Sequence, residues 1–218
     1  MPALSPQAIA QGWVQEDGHL YARTSLALED HDTFTSRRTD AYVEWGATSD
    51  WTLSAKYEQV DFDTSSVFDS SGYRVYARRR IWAANGWSAT TGAGLLEGAA
   101  IGGFQGCESL GGEIGAGLGH SGQLGSRDYF IGANISHREH RDSCQTNRTE
   151  LVIGLLNPDG FNVTHQYWLE RGDNGESDKL ELMVSRQIMD FEIGVAARRE
   201  FSGAFDETAL VFSLAYRR

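Results

Sequence analysis

Residues 41–58 carry the clearest alternation in the chain. Ala41, Val43 and Trp45 alternate with Tyr42, Glu44 and Gly46; after the polar break 47–50, Trp51, Leu53, Ala55 and Tyr57 alternate with Thr52, Ser54, Lys56 and Glu58. A period of two predicts a strand with two unlike faces. Two such runs across a short polar break predict a hairpin. One face is apolar, with a Trp on each side of the turn, and the other is charged at nearly every step. In a soluble sheet the apolar face would cover a core. In an outer-membrane barrel it would meet lipid, with the Trp pair in the interfacial girdle.

The same alternation recurs along the chain. It predicts a first strand over about residues 20–28, the hairpin as strands two and three, and further strands over 73–83, 87–96, 111–119 and 128–136. Five more follow over 149–156, 161–170, 179–188, 191–200 and 208–217. Short breaks fall at 47–50, 85–86, 120–122, 157–160 and 189–190, and longer polar or Gly-rich loops lie between them. Asn85-Gly86 suits a two-residue turn that needs positive φ at both positions. Trp45, Trp51, Trp87, Phe161, Phe191 and Tyr216 gather beside the short breaks. Loops sorted into long and short, with aromatics on one rim, predict an all-β, antiparallel, up-and-down transmembrane barrel of about twelve strands. It would span residues 19–218, after a polar lead-in over 1–18. Arg79 interrupts the apolar face of the fourth strand, where Trp82 shares a face with Arg74, Tyr76, Arg78 and Arg80.

Composition narrows the setting. A net charge of −11 argues against nucleic acid as a partner. Mean hydropathy is −0.40, and no stretch approaches the roughly 20 apolar residues of a membrane helix, although barrel strands need only about 9–11. The first twelve residues lack the basic and apolar regions of a signal peptide. The protein is therefore either cytosolic or a mature form with an added Met, and a bacterial outer-membrane location requires the second. Cys107 and Cys144 have no CxxC or Cys/His set around them, so no metal or other cofactor is expected. Both fall in long loops on one side, in neighbouring hairpins, which favours a surface disulfide over two idle thiols.

The pattern as a whole resembles bacterial outer-membrane barrels. The stretch AYVEWGATSDWTL (41–53) resembles more narrowly the outer-membrane proteins associated with the phenol-degradation meta-pathway, and KLELMVSR (179–186) and the closing VFSLAYRR are similar in register. The resemblance implies a barrel that passes small molecules and transfers no catalytic residue. One departure is that Tyr216 is followed by Arg217 and Arg218, where such barrels end in an aromatic residue.

With apolar faces outward, the lumen would be lined by Arg23, Asp40, Glu44, Lys56, Glu58, Arg74, Arg78, Arg80, Glu113, Arg138, Glu181, Glu192 and Arg198, together with Glu150, Lys179 and Glu200. Basic groups fall mainly on strands three and four, acidic ones on two, ten and eleven. They would either pair and close the barrel or set a transverse field in a pore. Lys56, Arg74, Arg78 and Arg80 would form a basic stripe. A rim enzyme acting on lipid would draw on His165, His137, His140, Asp142 or Ser143, but no spacing places a Ser-His pair together. Gly115, Gly117 and Gly119 lie within a strand and read as small inward residues, not a dinucleotide loop. The expected function is a narrow channel for small or extended polar solutes, with outer-membrane lipid around it. The solute and the oligomeric state are not encoded in any motif.

Overall fold

The structure, a computed structural model, describes residues 12–102, 106–157, 160–203 and 206–218. Its strands are β1 (Leu20–Asp30), β2 (Thr35–Thr48), β3 (Trp51–Phe62), β4 (Ser70–Ala84), β5 (Trp87–Glu97) and β6 (Gly111–Leu124). They continue as β7 (Arg127–His140), β8 (Gln145–Leu156), β9 (Asn162–Gly172), β10 (Gly175–Ile188), β11 (Phe191–Ser202) and β12 (Thr208–Arg217). Each pairs antiparallel with its sequence neighbours, and β12 returns to β1 to close the barrel. At the seam Tyr21 pairs with Arg217 and Asp30 with Thr208, while Leu20 and Arg218 exchange backbone hydrogen bonds of 2.7 and 2.9 Å. Closure leaves no sheet edge, so strand N–H and C=O groups are met inside the wall, which hydrocarbon surroundings demand.

The outer surface is apolar. Leu26, Val43, Leu53, Val75, Ile114, Leu118, Ile131, Ile153, Val184, Val195 and Phe212 are among the exposed residues of this face. Trp45, Trp51, Trp87, Phe161 and Phe191 are exposed at the end with the short turns. Tyr57, Phe68, Tyr73 and Phe201 are exposed towards the other end, giving a second aromatic belt. Arg79 lies on the outer face opposite Trp51, with its guanidinium 5.7 Å from that ring. At the belt a cation can cover an aromatic face and keep its head wet. A bulge between Arg80 and Trp82 swings Trp82 outward, where it is exposed, so the expected shared face with the arginines ends at Arg80.

The strands run further than the alternation alone predicts. β6 continues past the expected break at 120–122 and turns at Gly125, where φ is +64°. The expected loop over 171–178 shrinks to two residues between Gly172 and Gly175. There Arg171 pairs with Glu176 at 3.2 Å and Asp178 at 2.6 Å, so polar side chains continue the ladder where an apolar face is no longer needed. The one loop of thirteen residues that remains joins β5 to β6.

Candidate functional site: the charged lumen

The segment before β1 enters the barrel at the short-turn end. Trp13, Val14 and Gln15 are buried there. Trp13 meets Phe130 edge-on at 6.2 Å, and its ring lies where a side chain on Gly119 would be, 2.4 Å from an ideal Cβ. The Gln15 N–H donates to Thr52 Oγ1 at 2.7 Å, and Gln15 Nε2 donates to Glu44 at 2.6 Å. Glu44 also accepts from Arg78 at 2.9 Å and from the Tyr42 hydroxyl. Residue 46 must be glycine for a different reason: a Cβ there would lie 1.9 Å from the Glu16 carbonyl oxygen. Residues 1–11 of the expected lead-in lie outside the described residues.

From the opposite end the β5–β6 loop folds inward. Ala100 and Ile101 are buried; the guanidinium of Arg38 donates to the Ala100 carbonyl and that of Arg138 to the Ile101 carbonyl, each at 3.4 Å. Further along this loop Cys107 is bonded to Cys144 of the β7–β8 loop, with Cα atoms 6.0 Å apart. Beside the bond, the Cys144 N–H donates to the Asp142 carboxylate, which holds that group below the usual carboxylate range.

Between these two insertions the inward faces carry interlocked charges. Glu29 accepts from Arg38 at 2.7 Å, from Arg198 at 2.6 Å and from Ser36 at 2.7 Å. Glu113 holds Arg138 at 3.0 Å and Arg74 at 3.3 Å. Arg148 bridges Glu150 and Glu170, the latter at 2.8 Å. Lys56 lies 3.2 Å from both Asp40 and Glu58, and Lys179 lies 2.8 Å from Glu207 and 3.1 Å from Glu200. Glu192 accepts from Arg217 at 2.8 Å. Every residue named for the lumen from sequence faces inward except Arg80, which is held at the short-turn rim by Asp50 at 2.7 Å. Signs interleave on individual strands instead of segregating: β3 carries Lys56 and Glu58, and β10 carries Lys179 and Glu181. The expected basic stripe is therefore broken up by carboxylates.

Sequence reasoning missed Glu29, Arg38, Arg148, Glu170, Glu207 and Arg217 as partners. Most of these lie at strand ends where both faces are polar. The inward periodicity Ser36, Arg38, Asp40 was the available signal.

A cavity of about 110 Å³ remains inside this network. Arg23, Asp40, Lys56 and Glu58 line one wall, and Gln166, Trp168, Lys179, Glu181 and Arg198 line the facing one. Ala27, Met183 and Val211 form a small apolar floor, continuous with Ala196 and Ala209, and Ala100 and Ile101 border it from the inserted loop.

The rim candidates are not brought together. His165 faces outward, away from the lumen. His137 contacts Asn147 at 3.0 Å, and His140 contacts the Ser109 carbonyl at 2.5 Å. No serine hydroxyl meets an imidazole among the described hydrogen bonds of these residues; Ser143 only donates its backbone N–H to the His140 carbonyl, at 2.9 Å. Glu29, His31 and Glu207 could present ligand atoms within 4.8 Å of one another, but Arg38, Arg198 and Lys179 already neutralise the two carboxylates, so the group is a poor cation site.

No family model matches the chain, and no curated protein matches it in sequence. Solved structures do match in shape. The NanC porin superposes with a TM-score of 0.64 at 9% identity, covering 89% of this chain and 98% of its own. The KdgM porin gives 0.61 at 11% identity with the same coverages. The COG4313 outer membrane channel from Pseudomonas putida F1 gives 0.60 at 8%, covering 95% and 97%, and LpxR from Salmonella typhimurium gives 0.60 at 9%, covering 89% and 99%. At such identities the likeness is one of fold: the chain has the closed twelve-strand architecture of bacterial outer-membrane barrels.

Proposed function

We propose that this chain is a narrow outer-membrane channel for small polar solutes. The observation that carries the reading is an apolar, aromatic-belted exterior around a lumen whose charged walls still enclose a mid-barrel cavity. Outer-membrane lipid would surround the apolar band. One neighbour in fold is described as the KdgM porin in complex with disordered oligogalacturonate, a polymeric acid. The lumen here mixes both signs along each wall and is filled from both ends, which supports small solutes over a polyanionic chain.

The filling also favours a second reading, a sealed structural barrel, because nearly every luminal charge already has a partner. Planar-bilayer conductance of the detergent-purified protein, once boiling is found to shift its gel mobility, separates the two. Steady ion-selective steps that change when Arg23 is replaced by Glu support the channel. A folded but silent barrel refutes it in favour of the sealed form.

A further inference from the structure

Two luminal charges stand apart from the network. Arg23 lies 3.6 Å from Asp40, its only ion-pair partner among the described residues, and its buried Nε has no hydrogen-bond partner. Glu181 lies 4.0 Å from Arg198 and makes no hydrogen bond among those described. Every other inward-facing Arg or Lys has a carboxylate within 3.3 Å. Both exceptions line the same cavity. Their nominal partners are engaged elsewhere: Asp40 by Lys56 at 3.2 Å, and Arg198 by Glu29 at 2.6 Å and Glu207 at 3.0 Å. The space between them is floored by Ala27, Met183 and Val211, with Ser25 and Ser213 beside them. A volume of about 110 Å³ is several times the 10–15 Å³ that one water needs.

We infer that this cavity is a binding site for a small zwitterion, an amino acid in chemical class, whose carboxylate meets Arg23, whose ammonium meets Glu181 and whose short side chain rests on the apolar floor. A guanidinium offers a planar fork to a carboxylate, and a loosely paired carboxylate such as Glu181 accepts from an ammonium. A purely anionic solute would satisfy Arg23 and face Glu181 unpaired. A purely cationic one would do the reverse. Such a site discriminates by leaving a buried group unpaired.

The inference deepens the channel reading, but its test does not need conduction. L-valine, isovalerate and isobutylamine share one branched body and differ only in charged groups. Isothermal titration of the folded protein in detergent should show saturable valine binding at least tenfold tighter than either monofunctional analogue. Arg23→Gln should weaken valine and isovalerate about tenfold or more, and leave isobutylamine unchanged. Glu181→Gln should weaken valine and isobutylamine, and leave isovalerate unchanged. Both variants should fold, because Asp40 keeps Lys56 and Arg198 keeps Glu29 and Glu207; an unchanged heat shift on gels checks this. Equal binding of the three ligands, no saturable valine binding, or valine binding indifferent to both variants would overturn the inference. A silent bilayer with valine binding intact would sink the channel reading alone.

Discussion

Replacing Glu113 by Gln should destabilise the barrel by about 3–5 kcal/mol, the cost of stripping one partner from a buried ion cluster. The amide keeps the volume, so no cavity contributes to the loss. Glu113 is 1% exposed, and the two guanidiniums it holds are 10% and 2% exposed at the side chain. Their fates differ. Arg138 retains Glu170 at 3.5 Å and the Ile101 carbonyl at 3.4 Å. Among the described residues Arg74 keeps the face of the Tyr76 ring, with its guanidinium 5.5 Å from the centroid, which is worth about 1 kcal/mol, and a longer-range attraction to Glu150 but no ion pair. Most of the loss should therefore fall on Arg74. Adding Arg74→Met to the Glu113→Gln protein should recover at least half of it. Urea titration of the protein in liposomes, followed by Trp fluorescence and by gel mobility without boiling, measures both. A loss below about 1 kcal/mol, or no recovery in the double variant, would mean that luminal water screens these charges, and the buried-network reasoning would fail.

On the outer face, Val195→Arg should cost about 2–4 kcal/mol in liposome unfolding if the band meets hydrocarbon, and almost nothing if it does not. Trp13→Ala should lose about 3 kcal/mol of packing against Phe130 and raise single-channel conductance, since the ring fills the short-turn mouth. Unchanged conductance would show that the mouth is not the narrow point. Cys107→Ser, or reduction of the Cys107–Cys144 bond, releases a closure of 37 residues; by chain entropy this should cost about 4 kcal/mol, read as a lower urea midpoint on non-reducing gels.

The strands were legible where the outer face is a continuous apolar band. Val43 and Trp45, or Leu53 and Trp51, had to be apolar on one side, and the period of two followed. The signal faded where strands run beyond that apolar band. Residues 35–40 and 171–178 are polar on both faces, so the ladder there was hidden and Arg38 was left out of the lumen, while Glu170 and Arg217, at the ends of expected strands, carried no local sign of their distant partners. The bulge after Arg80 was signalled only by Arg79 interrupting the apolar face, and it moved Trp82 to the other face. The lumen's contents were the least legible. Nothing local to Trp13 or Ala100 says that they enter the barrel, because their partners, Phe130 and Arg38, are far away in sequence.

β6 has a consequence for how such proteins diversify. Gly115 and Gly119 present no side chain inward; the Tyr76 hydroxyl and the Trp13 ring occupy the room that Cβ atoms would take, at 2.9 and 2.4 Å. Part of the wall is thus bare, and the bore is set by parts that lean on it. Strand number fixes the frame, while the inserted loop and the leading segment fix the aperture. Change in either part could reshape the bore without disturbing a single inter-strand hydrogen bond, so bore and scaffold are free to evolve at separate rates.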